Sequence, residues 1–215
     1  MKVCTEFIVL HSTPVGDNSV VVHTISSHYG RRSFFLRNAA GKTSLLLPLT
    51  IVEAEILESS RSELYTVRRM ASAYNLIGIR NSIVKNAISM FMSEVLYRVI
   101  KDGCNEDGLY GWCHRNILIL NEMSANMSNF HIRFLLELTV MLGIVPQTSM
   151  LQPFAADKLD LIAELMSKSF EESMLVPLNG RTRNELAEII LKYIEYHTES
   201  RVNINSLKVL RELFA

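Results

Sequence analysis

Near residue 80 the spacing of apolar residues changes, and that change limits the possible folds more than any other feature of the sequence. Before it, side chains alternate with the period of two that belongs to strands; after it they recur at three and four, the period of helices. Val3 to His11 reads as a strand rich in branched and aromatic residues, closed by the turn residues Pro14-Val15-Gly16-Asp17. Asn18 to Ser26 is a second strand, and Arg31 to Ala39 a third, reached through the short link Ser27 to Gly30. A flexible loop, Ala40 to Ser44, follows. Leu49 to Glu58 gives a fourth strand with an acidic face, and Ser62 to Ser72 a fifth after the turn Glu58-Ser59-Ser60-Arg61. Five antiparallel strands in so short a stretch predict a small barrel, and the OB type fits best.

From Asn81 to the stop at Asp102-Gly103, the residues Ile83, Ala87, Met90, Phe91, Val95 and Val99 mark a helix. Further helices are predicted near Asp107 to Met123, and from Met127 or Ser128 to Leu142, where Gly143 and Pro146 end it. Others fall near Ala156 to Phe170, Thr182 to His197 and Ser206 to Phe214. The chain therefore reads as α+β: an N-terminal five-stranded antiparallel barrel over residues 1–78, then an all-helical domain over residues 79–215.

The third strand concentrates the chemistry. His28 to Ser44 reads HYGRRSFFLRNAAGKTS. Alternation sends Arg32, Phe34 and Leu36 to one face and Arg31, Ser33, Phe35 and Arg37 to the other, so cations and rings share a surface. Cations suit phosphates and rings suit bases. The alternative, from these residues alone, is a core phenylalanine on a strand whose arginines are merely solvated.

Lys plus Arg equals Asp plus Glu at 22 each, unlike a strongly basic nucleic-acid binder. The balance hides an asymmetry. Residues 1–80 hold nine cations against six acids, a net +3, whereas residues 81–215 hold thirteen against sixteen, a net −3. An apolar content of 48% is ample for a packed core. No run approaches the roughly 18 apolar residues of a membrane span, and the N-terminus lacks a signal-peptide pattern, so a cytoplasmic protein is expected. Three cysteines without paired spacing fit a reducing compartment.

Motifs for catalysis are weak. Gly41-Lys42-Thr43-Ser44 imitates the end of a P-loop, but the required earlier glycine is replaced by Leu36. Lys42 is better read as a phosphate contact in a barrel loop or, equally, as a plain solvated lysine. Cys104, Cys113 and His114 do not have zinc-ligand spacing. The histidines are scattered, and no serine sits in a G-x-S-x-G frame. No enzyme site, cofactor or metal is expected.

Phe7-Ile8-Val9-Leu10-His11, the turn to Gly16-Asp17, Val20 to Ile25, and Tyr29-Gly30-Arg31 through Leu36-Arg37 resemble the start of the bacterial DNA repair protein RecO family, whose members are recombination mediators. Leu47-Pro48-Leu49, Glu53 to Glu58, Asn129-Phe130 through Leu142-Gly143-Ile144-Val145-Pro146, and Ser206 to Leu213 continue the resemblance in order. It implies an OB-fold that binds single- and double-stranded DNA and promotes annealing. It also implies cooperation with RecR in loading RecA onto strands coated by single-strand-binding protein, in the cytoplasm at the nucleoid and without catalysis.

Carried onto this chain, the resemblance makes Arg31, Arg32, Arg37 and Lys42 the DNA-facing candidates, with Lys2, Arg68 and Arg69 second. It also implies a groove in the helical half for the acidic, aromatic-ended tail of single-strand-binding protein. Arg181, Arg183, Lys192, Lys208 and Arg211 are candidates to flank it because each sits beside an apolar helix face. Zinc-bearing relatives place cysteine pairs after the Leu-Gly-x-x-Pro segment; Gln147 to Asp157 has none, so no zinc is expected. The rival readings are a helical interaction adaptor that never meets DNA, and a nucleotide-dependent enzyme built on Gly41-Lys42-Thr43.

Overall fold

The computed structural model describes residues 1–60, 62, 64–155 and 157–214. Arg61 and Glu63, assigned above to the turn and the fifth strand, and Ala156, assigned to a helix start, lie outside the described residues. The strands are β1 (Lys2–Val15), β2 (Ser19–Ser26), β3 (Gly30–Arg37), β4 (Ile51–Leu57) and β5 (Tyr65–Ser72). The helices are α1 (Ile77–Arg80), α2 (Ile83–Val99), α3 (Leu109–Glu122), α4 (Phe130–Met141), α5 (Thr148–Ala155), α6 (Leu159–Ser167), α7 (Phe170–Leu175), α8 (Gly180–Thr198) and α9 (Leu207–Leu213). They form two compact units: Met1–Asn81 with Ile100–Asn121, and Ser82–Val99 with the chain from Glu122 onward.

In the first unit the five strands close into a barrel in the order β1-β2-β3-β5-β4, the OB arrangement. Four seams are antiparallel, as expected. The closing one, between β3 and β5, is parallel. Alternate residues fill the interior: Phe7, Val9, Val22, Phe34, Leu36, Val52, Ala54, Ile56 and Val67. The rings of Phe7 and Phe34 stack with centroids 5.8 Å apart.

Two bulges shape this barrel. The first, between Val9 and His11, falls where β1 ends its pairing with β4 at Ile8 and continues against β2 alone. Beyond it β1 is bonded on one side, so Pro14, which has no N–H to donate, is tolerated and the strand runs on to Val15. The expected break at Pro14 is thus corrected to an edge extension. The second bulge lies in β5, where Glu55 of β4 faces Arg69 and Ile56 faces Val67, leaving Arg68 as the extra residue. The loop expected over Ala40 to Ser44 instead leads into a 3-10 turn, Thr43–Leu46.

Residues 100–121 complete the first unit. The Arg31 N–H donates to the Cys104 carbonyl at 2.7 Å, and the Gly103 N–H donates to the Arg31 carbonyl at 2.8 Å. The hydroxyl of Tyr110 donates to Glu6 Oε1 at 2.6 Å, and Asn121 Oδ1 accepts from the Ile79 N–H at 3.1 Å.

The second unit packs α4 and α8 around a core that includes Phe91, Phe130, Phe134, Leu186, Ile190, Tyr193 and His131. The helix expected from residue 156 to Phe170 is α6, which stops at Ser167, and α7 follows where no helix was expected. Ser169 separates them with a capping box, accepting from the Glu172 N–H while Glu172 accepts from the Ser169 N–H. An additional helix, α5, carries Pro153 within the Gln147 to Asp157 segment, where no helix was expected.

Candidate nucleic-acid interface

The register of β2 against β3 sets Arg37 opposite Ser19, Phe35 opposite Val21, Ser33 opposite His23 and Arg31 opposite Ile25, all on the outer face. Along this row the character changes from solvated to buried. Arg37 is exposed, its guanidinium 5.8 Å from the half-buried Phe35 ring. Arg31 is only 4% exposed, its Nη1 4.0 Å from Asp102. Gly103 and Cys104, bonded to its backbone, lie against it, and burial removes it from the exposed set. Between these ends Thr13 Oγ1 and His23 Nε2 are 3.0 Å apart, His23 Nδ1 and Ser33 Oγ are 2.9 Å apart, and Ser33 Oγ donates to Asp102 at 2.9 Å. Burial, then the Arg31 and His11 charges, hold His23 below the usual imidazole value, which favours the neutral ring.

The other parity of β3 points inward. Phe34 is fully buried in the barrel core, which settles the question of a core phenylalanine for this ring. Arg32 escapes the core because it lies near the barrel end, where its guanidinium sits 4.2 Å from the Tyr65 ring centroid and 5.7 Å from that of Tyr29. Tyr29 donates its hydroxyl to Glu58 at 3.0 Å, and burial followed by that bond pushes the phenol up.

The β5 bulge does what alternation alone forbids. It leaves both Arg68 and Arg69 exposed although they are adjacent in sequence. A cleft of about 970 Å³ gathers Arg68, Arg69 and Lys42 with the carboxylates Glu6, Glu53 and Glu55. Lys42 Nζ donates to the Asn38 carbonyl at 3.0 Å, and Lys2 pairs with Glu55 at 3.3 Å. Three of the seven DNA-facing candidates are therefore brought together. Arg37 and Arg32 lie elsewhere on the barrel, Arg31 is internal, and Lys2 is engaged with a carboxylate. Sequence alternation gave no signal for the bulge, and Tyr65 was missed as well.

Gly41-Lys42-Thr43-Ser44 opens a 3-10 turn rather than an α-helix, so the helix N-terminus that a P-loop needs is replaced. Cys113 is buried, and burial pushes its thiol up; the Cys104 thiol is within 3.8 Å of Glu106. Among the described residues no three His, Cys, Asp or Glu side chains gather so as to hold a metal ion. No helix among them is long and apolar enough to cross a membrane.

Within the second unit a cleft of about 270 Å³ has an apolar floor of Leu191, Val202, Ile204 and Leu207, flanked by Lys192, Lys208 and Arg211. Glu188 and Glu195 also line it, and Arg211 pairs with Glu188. Two other candidates lie outside the cleft. Arg181 is held by Glu185 at 2.9 Å, and Arg183 donates to the Phe214 and Leu178 carbonyls at 2.8 and 2.6 Å. Arg183 thus has a structural role, tying the end of α9 to the start of α8.

Residues 1–75 match the family described as Recombination protein O N terminal. Beyond that domain, the chain is 28% identical over 237 aligned residues to the DNA repair protein RecO of Phocaeicola vulgatus, covering 97% of each chain. The chain belongs to the RecO family. It is also 25% identical to the RecO of Flavobacterium psychrophilum over the whole of both chains. To the Porphyromonas gingivalis RecO it is 30% identical over 154 residues, 68% of this chain and 62% of that relative. Family membership makes this a DNA repair and recombination protein.

Proposed function

We propose that the barrel binds DNA through the Arg68, Arg69 and Lys42 cleft, with Arg37 as a further contact, and that it promotes annealing of complementary strands. The observation that supports this most is the β5 bulge, which exposes two adjacent arginines beside Lys42. Cations at such spacing neutralise neighbouring phosphates, and the released counterions supply affinity. Glu6, Glu53 and Glu55 in the same cleft moderate it. Moderate binding suits annealing: two polyanions need be held only until base pairing supplies the lasting free energy, and a tighter site would slow release of the duplex.

In this reading the protein acts in the cytoplasm by binding alone, without catalysis. It cooperates with RecR and helps RecA onto strands covered by single-strand-binding protein. The cleft of Lys192, Lys208 and Arg211 receives the acidic, aromatic-ended tail of that protein: its apolar floor suits the terminal ring and its cations suit the acids. Titration of a labelled tail peptide should saturate, and Lys192→Glu with Lys208→Glu should weaken it at least tenfold. Unchanged binding in that variant would remove the cleft from the scheme.

The DNA reading is tested by anisotropy of a labelled single strand at several salt concentrations. With about four phosphates neutralised, the log–log salt slope should be near −3. Arg68→Ala with Arg69→Ala should weaken binding about tenfold or more and make that slope shallower by about 1.4, because two contacts are lost. Wild-type affinity and slope in that variant would exclude the cleft. Absence of salt-dependent binding by the wild-type chain would favour the adaptor.

A further inference from the structure

The cations account for phosphates, and a single-strand binder also needs a surface for bases. Phe34, the ring the strand pattern offers first, is sealed in the core. At the barrel end, however, an open recess of about 540 Å³ is lined by Met1, Glu58, Ser59, Ser60 and Tyr65. Tyr65 is half-buried and packs against the barrel core without joining it. Its ring is held in place from two sides. Arg32 lies 4.2 Å from the centroid, and Tyr29 meets it edge-on at 5.9 Å. Tyr29 is itself fixed through Glu58. A ring so held, on a residue that lines an open recess with a carboxylate and two serines, has the makings of a base site: an aromatic ring to stack on and polar groups beside it.

We propose that Tyr65 is the stacking platform for one unpaired nucleobase, held in this recess with its polar edge toward Glu58, Ser59 and Ser60. The inference rests on the reading that the barrel binds single strands, and it adds a contact to the base that the cation cleft does not provide. Glu58 keeps acceptor capacity beyond its bond to Tyr29, since an ionised carboxylate takes several hydrogen bonds. It therefore favours a base that carries an exocyclic amino group, such as cytosine.

The experiment compares two labelled oligonucleotides of equal length, one of deoxycytidine and one abasic throughout, so that phosphate number is the same and only the bases differ. Wild-type protein should prefer the base-bearing strand by about fivefold or more, the range of one stacked base. Tyr65→Leu should bind both strands alike with the salt slope unchanged, whereas Tyr65→Phe, which keeps the ring, should retain the preference. Equal, salt-sensitive binding of both strands by the wild-type chain would overturn the base site and leave the phosphate cleft standing. Binding of neither would overturn both, and a preference surviving in Tyr65→Leu would also overturn the site. A second arm needs no variant: photo-crosslinking of a strand carrying 5-iododeoxycytidine should modify Tyr65. Adducts confined to Phe35 or to other residues would overturn the assignment.

Discussion

Gly30→Ala is expected to destabilise the first unit by about 3–5 kcal/mol, a loss to be measured as a fall in the urea midpoint at unchanged m-value. Two causes add. Gly30 has φ +63°, where an L side chain costs about 1–2 kcal/mol. A Cβ at this position would also lie against the Cys104 carbonyl, 2.7 Å from Asn105 Cα and 2.8 Å from its Cβ. These are backbone and near-backbone atoms, so residues 103–105 must move. That movement strains the two hydrogen bonds by which Arg31 is joined to Gly103 and Cys104, each worth about 1 kcal/mol. Gly16→Ala is the control: its φ is also +63°, but a Cβ there meets nothing within 4 Å, so only the backbone cost of about 1–2 kcal/mol should appear. Equal losses at the two positions would show that residues 103–105 do not clamp the start of β3.

The same clamp shows what the sequence could and could not convey. Alternation in β2, β3 and β4 reports burial directly, so the barrel and its strand count were legible. Membership of a compact unit is set by long-range contacts with no local period. Nothing in the spacing of Leu109 to Glu122 says that its Tyr110 reaches Glu6 of β1, 104 residues away. Helix ends were less legible than helices. The Ser169-Phe170-Glu171-Glu172 capping box is present in the letters, yet the helix expected to end at Phe170 passes over its start and leaves α7 unread.

For the site, the chain's cation inventory was legible and its geometry was not. Arg31 and Arg32 look equivalent on paper, but one lies under Gly103 and Cys104 and the other stacks on Tyr65. Arg68 and Arg69 ought to face opposite ways, and a single inserted residue in the ladder turns both outward. A bulge is a property of two paired strands, so it cannot be read from one of them. In the second unit, Lys192 and Lys208 come together because α8 and the chain leading into α9 close on the same apolar floor. Arg183 is diverted by two carbonyls that only the folded chain places beside it.

Those same helices make stability depend on pH through His131. Its ring is fully buried in α4, stacked on Phe214 with centroids 5.7 Å apart and met edge-on by Phe91 at 5.9 Å. Burial first, and the nearby Arg183 charge second, push its pKa down to about 3, against a weaker upward effect from a backbone hydrogen bond to Ser128. In the unfolded chain the imidazole titrates at its ordinary value, about 6.5. Between those two values the unfolded state binds a proton that the folded state refuses, so acidification favours unfolding. Stability attributable to His131 is intact above about pH 6.5, and falls by about 1.4 kcal/mol for each pH unit below it until the folded ring itself titrates. Summed over that window the loss is about 4–5 kcal/mol. His131→Leu keeps an apolar group of similar size and cannot take up the proton. Urea unfolding at pH 7, 5.5 and 4 should therefore show a shallower loss in the variant, with the two curves separating by about 1.4 kcal/mol per pH unit. The carboxylates titrate in both proteins and cancel in the difference. Parallel curves would mean that the folded ring takes up its proton over the same pH range as the unfolded one, and that Arg183 and Phe214 move to admit its charge.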